Sequence, residues 1–171
     1  SKAFRDIEQD LEPIKDSIPE KQLPGFIKTI YEGVVRQVTN MPVDIKIEQW
    51  IYNNYPELRD NQLKSIEKQA DDATQVLGLK EEQFTEKIFY CTNVMNYVFL
   101  RLAGMTINQK FLSPYYNTKF VSPGKKLAKI TQEEYENNFS GDIKMINRWA
   151  EFLDIDDWFE WRDFETSEKN I

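Results

Sequence analysis

Hydrophobic residues recur at helical spacing along much of the chain, and the strongest pattern covers residues 84–102. Alternating steps of four and three residues place one set of apolar side chains on a single helical face. Three further large side chains, Phe89, Val94 and Phe99, lie outside that face. An apolar surface this wide is typical of a helix packed on more than one side. We therefore expect this helix to organise the core and to end at Gly104, which suits a left-handed C-cap.

Amphipathic patterns upstream of this segment predict further helices. An N-terminal helix is interrupted at Pro13, which either kinks it or lies in the first turn of a second short helix. Another helix is predicted over residues 26–39, and Pro42 ends it. Residues 43–52 alternate like a strand but also fit a helical period, and the helical neighbours favour a helix. Pro56 then suits the first turn of the next helix.

The helical period fails between residues 106 and 125. This stretch contains prolines, a glycine and several large rings, so we predict a long aromatic loop. Loops of this length inside a domain are often functional, although the rings could instead fold back onto the core. The aromatic residues are Phe111, Tyr115, Tyr116 and Phe120.

Two helices are predicted in the C-terminal part of the chain. Residues 131–134, TQEE, match a capping box and predict the start of a short helix. A last helix follows, with Ile146 and Trp149 facing inward. Beyond it, Trp158 and Trp161 alternate with acidic residues in the run DIDDWFEW.

These patterns predict an all-α fold, an irregular or orthogonal bundle of about six or seven helices with one long aromatic loop. We find no internal repeat and no linker long enough to divide the chain, so we expect a single helical domain of 1–171. Its predicted parts are an N-terminal arm (1–24), a helical core (26–104), the aromatic loop (105–130), C-terminal helices (131–164) and a frayed tail (165–171).

Composition narrows the classes of function. The net charge is -7, which disfavours direct binding to nucleic acid because that requires a cationic surface. No apolar run approaches the ~20 residues of a membrane-spanning helix, so we expect a soluble protein that does not bind membranes. Cys91 is the only cysteine, which fits a cytoplasmic setting. The simplest interpretation of Cys91 is a small buried hydrophobic residue.

The chain contains no histidine. Histidine-dependent catalytic triads and HExxH zinc sites are therefore excluded. Neither a GxxxxGK[ST] nor a GxGxxG phosphate-binding motif occurs, and we assign no cofactor and no metal. The nearest approach to a calcium loop lacks the glycine and the spacing of an EF-hand. We expect its acids to form a solvated rim around buried tryptophans: Asp154, Asp156, Asp157 and Glu160.

One stretch resembles a known family. The sequence EGVVR at 32–36, followed by NMPVDIKIE at 40–48, is similar to the region of zinc metallopeptidases in which HExxH leads into an N-x-P-x-D-I-x-I-E-like segment. On that pattern Glu32 and Arg36 stand in place of the two histidines, and Gly33 in place of the general-base glutamate. Asp44 or Glu48 would be the remaining acid. The resemblance implies a degenerate scaffold that has lost its zinc and its activity.

Our leading hypothesis is a non-catalytic helical module that binds a protein partner. Aromatic residues are favoured in binding hot spots, and two alternatives remain: the degenerate metallopeptidase, and an acidic inhibitor of a basic or nucleic-acid-binding protein. The sequence does not fix the oligomeric state. The predicted partner-binding residues are Phe111, Tyr115, Tyr116, Phe120, Trp158 and Trp161.

Overall fold

The structure is a computed structural model that describes residues 2–79 and 86–162. Within these ranges the chain forms seven α-helices and no strand, so the predicted all-α bundle is confirmed. The predicted tail 165–171, Phe84 and Phe164 lie outside the described residues. The helices are α1 (Lys2–Leu11), α2 (Leu23–Asn54), α3 (Arg59–Leu77), α4 (Glu86–Phe99), α5 (Met105–Ile107), α6 (Val121–Glu134) and α7 (Phe139–Phe152).

Helix α4 lies at the centre of the bundle, in agreement with its sequence pattern. It packs against α1, α2, α3 and α6, and all side chains at 93–100 are buried. Val94, Met95 and Val98 have no solvent exposure at all. Because burying one large apolar side chain contributes about 1.5–3 kcal/mol, α4 is a major source of the stability of the domain.

The predicted stop at Gly104 is wrong. The chain continues from α4 through a π-helical turn, Leu100–Gly104, into α5. Gly104 has a φ of −67°, which is right-handed helical rather than the left-handed conformation of a glycine cap. Its lack of a side chain serves packing instead, because a Cβ there would lie 3.1 Å from Cδ2 of Phe111.

Helix α2 is much longer than predicted. The expected helix over 26–39 and the ambiguous segment 43–52 belong to one helix of 32 residues, with Pro42 inside it. A proline in a helix interior costs about 3 kcal/mol. Here the cost is offset because α2 packs on α1, α4 and α7, and Val38 and Ile45 are buried on either side of the proline.

The N-terminal segment forms two helical pieces, with Pro13 in the first turn of the second, which is one of the two alternatives predicted for this proline. Helix α1 ends at Leu11, and a 3₁₀ turn, Glu12–Ser17, follows with Pro13 in its first positions. The α1 side chains Ala3, Ile7 and Leu11 are at most 1% exposed, and α1 packs on α2. This part of the predicted arm therefore belongs to the core.

The long aromatic loop predicted over 105–130 is largely helical. A 3₁₀ segment, Gln109–Tyr115, follows α5, and α6 begins at Val121. The predicted capping box is also wrong, because Thr131 lies near the end of α6 rather than at a helix start. Its buried hydroxyl donates to the carbonyl oxygen of Leu127 (2.8 Å) and accepts from the indole of Trp149 (2.9 Å). The local sequence motif does not show that the Thr131 hydroxyl accepts a hydrogen bond from a residue in another helix.

Helix α7 brings the C-terminal segment onto the core. Asn138 caps its start by accepting a hydrogen bond from the amide of Gly141 (2.8 Å). Trp149 and Ala150 are fully buried, in agreement with the predicted inward face, and Ile155 beyond the helix is buried too. Among the described helices, none is long and apolar enough to cross a bilayer.

Candidate functional site

The six aromatic residues predicted to bind a partner do not share one surface. Four lie in or against the core and two are exposed. A partner on the surface cannot reach the buried rings. These rings pack onto the core, which was the alternative given above for the rings of the predicted aromatic loop. The core residues are Phe111, Tyr115, Phe120 and Trp158, and the exposed residues are Tyr116 (62%) and Trp161 (49%).

Tyr115 illustrates the buried group. Its ring packs edge-on against Tyr97, with ring centroids 5.7 Å apart. Its hydroxyl donates to Oδ1 of Asn93 (3.3 Å), whose own amide donates to the carbonyl oxygen of Phe89 (2.9 Å). Burial raises the pKa of Tyr115 well above its usual range, so the hydroxyl stays protonated. Tyr115 is a core residue whose polar end has a partner.

Three of the four acids predicted to form a rim near the C-terminus form ion pairs with neighbouring cations. Asp154 accepts a hydrogen bond from Lys87 (2.9 Å), and that contact lowers the pKa of Asp154. Asp157 pairs with Lys2, and Glu160 pairs with an adjacent arginine. No group of three or more acidic or thiol side chains in the described ranges has the geometry to hold a metal ion.

The four residues of the predicted remnant site all lie on α2. Glu32 and Arg36 are exposed, and Glu32 lies 3.7 Å from Lys28. Glu48 lies twelve positions beyond Arg36, about 18 Å along the axis at ~1.5 Å per residue. The four side chains are therefore not brought to one cleft, although the resemblance to metallopeptidases itself stays a prediction.

The two acids in the C-terminal half of α2, Asp44 and Glu48, have different surroundings. The amide of Gln62 in α3 donates to the backbone carbonyl (2.7 Å) and to the carboxylate of Glu48. Desolvation raises the pKa of Asp44, and the negative charge of Glu48 raises it further. Glu48 thus joins α2 to α3, which is a structural role.

A different site was not anticipated by the sequence: an open groove of about 410 Å³ between the C-terminal half of α2 and the α6–α7 connection. Trp50 and Ile47 are 56% and 46% exposed, and Phe139, just beyond the connection, is 78% exposed. The ring of Trp50 packs on Tyr55, with centroids 5.0 Å apart. The groove is lined by Lys46, Ile47, Gln49, Trp50, Tyr135 and Asn137.

Hydrogen bonding distinguishes Trp50 from the other tryptophans. Three indole N–H groups donate to side-chain oxygens within the described parts of the chain, whereas that of Trp50 has no partner there. A large exposed ring with an unused donor is well suited to an intermolecular contact. The three bonded pairs are Trp149–Thr131 (2.9 Å), Trp158–Asp6 (3.2 Å) and Trp161–Asn147 (2.8 Å).

One wall of the groove is fixed by three polar side chains. Tyr135 donates to Oδ1 of Asp142 (2.6 Å), and Nζ of Lys46 donates to the same oxygen (2.9 Å). The Lys46 ammonium also lies 4.1 Å from the centre of the Tyr135 ring. The hydrogen bond from Tyr135, assisted by Lys46, lowers the pKa of Asp142. Burial, followed by contact with Asp142, raises the pKa of Tyr135. The arrangement holds α2 against α7 beside the groove.

One sequence signal could have pointed to the groove. Residues 43–52 are apolar on two faces of a helix, which is why they also resembled a strand. In the structure Ile45 is buried and Ile47, about 200° further around the helix, is exposed. Periodicity shows both faces but does not say which face the rest of the chain covers.

Comparison with known proteins gives no family assignment. No protein-family model matches the chain, and no curated protein or solved structure resembles it at a significant level. The function must therefore be argued from the residues themselves.

Proposed function

We propose that the chain is a non-catalytic helical module that binds a protein partner through the groove beside Trp50. The exposure of Trp50, whose indole N–H has no hydrogen-bond partner among the described residues, is the observation that carries this proposal. A cytoplasmic setting belongs to the same proposal, since Cys91 is buried and not in a disulfide.

The composition of the groove supports a protein ligand. Interface hot spots are enriched in tryptophan and tyrosine and are surrounded by polar residues that exclude water. Trp50 and Ile47 supply the apolar centre, while Lys46, Gln49 and Asn137 form a polar rim. An apolar side chain of the partner would cover the indole face, and a carbonyl or carboxylate oxygen would accept its N–H.

Site-specific photocrosslinking tests the proposal. We would replace Ile47, which lines the groove beside Trp50, with a benzophenone amino acid and irradiate the protein in an extract of the cells that make it. The expected result is a crosslink to one defined polypeptide, which unlabelled wild-type protein suppresses. A matched control carries the same amino acid at Glu67, which is exposed on α3.

The two probes separate a specific site from general stickiness. Crosslinks from position 47 alone support the groove. Identical products from both positions, or none from position 47, would contradict it. The Phe139→Ser variant should weaken the crosslink from position 47, because it removes an exposed apolar ring two residues beyond Asn137, which lines the groove.

A further inference from the structure

Charge is distributed very unevenly along this acidic chain. Residues 88–132 contain no aspartate or glutamate but include six of the 22 lysines and arginines. The remaining residues therefore carry all 29 acids. An acid-free stretch of this length in a protein of net charge -7 forms a local positive region if its cations reach the surface.

Helix α6 carries three of these six cations: Lys125, Lys126 and Lys129. Its inward side is formed by Gly124, Leu127 and Ala128, which are buried. Lys125 and Lys126 lie outside this side and are exposed. Neither forms an ion pair with any carboxylate in the described ranges, whereas lysines elsewhere, such as those at 2, 46 and 87, do.

An exposed aromatic ring lies in a segment anchored to the same buried residue as these lysines. Tyr115 and Gly124 both contact the ring of Tyr97, and Tyr116 and Lys125 are the residues that follow them. Tyr116 is 62% exposed. We refer to Tyr116, Lys125 and Lys126 as the α6 face.

The extent of this surface selects the kind of partner. On α6 itself the first acid is Glu133, about 12 Å along the helix axis from Lys125 at ~1.5 Å per residue, and it pairs with Lys129. At physiological ionic strength charges act over only about 8 Å, so this acid has little effect on a short ligand at Lys125 and Lys126. A membrane or a long nucleic acid strand extends past the α6 face and meets the acidic surface around it. The geometry therefore favours a short anionic segment.

We propose that the α6 face is a second contact surface, which binds a short acidic segment of a protein partner. The lysine ammonium groups would pair with its carboxylates, and Tyr116 would pack against the adjoining side chains. This inference goes beyond the groove, because it rests on different residues and requires nothing of Trp50.

Fluorescence anisotropy with a labelled, short glutamate-rich peptide tests the inference. Wild-type protein should bind at about 0.01 M salt, where the Debye length is ~30 Å, and lose most of the binding at about 0.15 M. The double variant K125E/K126E should bind about tenfold more weakly or worse, since two attractions become repulsions. Trp50→Ala should bind like wild type, which separates this inference from the groove.

A control double variant on another helix has the same net charge as K125E/K126E. Lys64 and Lys68 are exposed on α3 and form no ion pair within the described ranges, so K64E/K68E changes the total charge equally. Binding by this control at near wild-type strength supports the α6 face. Equal weakening of both double variants would overturn it, as would failure of wild-type protein to bind at low salt. Tighter binding to a single-stranded oligonucleotide or to phosphatidylserine vesicles than to the peptide would also overturn it.

Discussion

The packing of α6 on α4 leads to a quantitative prediction at Gly124. An alanine Cβ at this position would lie 2.2 Å from Cδ1 of Tyr97 and 2.8 Å from its Cγ, whereas carbon atoms pack at about 3.5–4.0 Å. The Tyr97 ring is 2% exposed and lies against Tyr115. It has no free space into which to move, so Gly124→Ala must displace either the ring or the helix.

The expected loss of stability follows from two opposing effects. Overpacking a core costs about 1–3 kcal/mol, and an overlap of this size belongs in the upper half of that range. Alanine regains up to about 1 kcal/mol of helix propensity over glycine. The net loss is therefore about 1–3 kcal/mol, which lowers the Tm of a domain of this size by about 2–12 °C.

Gly33 provides the matched control, since it lies inside α2 and a Cβ there would have no atom within 4 Å. Gly33→Ala should stabilise the domain by up to about 1 kcal/mol, because only the helix propensity changes. Urea and thermal unfolding followed by circular dichroism measure both variants. If Gly124→Ala raised the Tm as Gly33→Ala does, the described contact between α6 and Tyr97 would be refuted.

Three further predictions follow from named contacts. Tyr115→Ala should lower the unfolding free energy by about 3–5 kcal/mol because its ring is buried. Tyr116→Ala should lower it by less than about 0.5 kcal/mol because its ring is exposed. Similar losses for the two variants in urea unfolding would contradict the assigned burial. Thr131→Val should cost about 1–3 kcal/mol by leaving the indole N–H of Trp149 unpaired, and Thr131→Ser should restore most of it in the same assay. The lowered pKa of Asp142 contributes stability that is present above its unfolded pKa of about 3.9 and is lost as the pH falls. Asp142→Asn should therefore flatten the acid limb of a stability–pH curve, and an unchanged limb would contradict that linkage.

Helix α4 could be predicted because its wide apolar surface is an intrinsic property of the sequence. The length of α2 could not, since Pro42 is a local stop signal that only tertiary packing overrides. Thr131 shows the same limit: TQEE satisfies a capping signature, yet its hydroxyl serves Trp149, a residue 18 positions away. Local rules failed where a distant contact supplied the larger energy.

The candidate site was only partly visible in the sequence. Tyr116 and Trp161 are exposed whereas the core encloses Tyr115 and Trp158, and aromatic content did not distinguish the two groups. Trp50 lies in the segment 43–52, for which the pattern predicts a helix, and only the fold reveals that its ring is exposed. The acid-free stretch at 88–132 was readable from the sequence, but total net charge conceals it.

Nuclear magnetic resonance of the four tryptophan indole groups tests the groove most directly. The polypeptide identified by crosslinking would be titrated into ¹⁵N-labelled protein while the four indole signals are followed. We predict that the Trp50 signal shifts and becomes protected from hydrogen exchange, while the hydrogen-bonded signals of Trp149 and Trp158 stay in place. Binding that leaves the Trp50 signal unchanged would contradict the proposal that this chain recognises its partner through the groove.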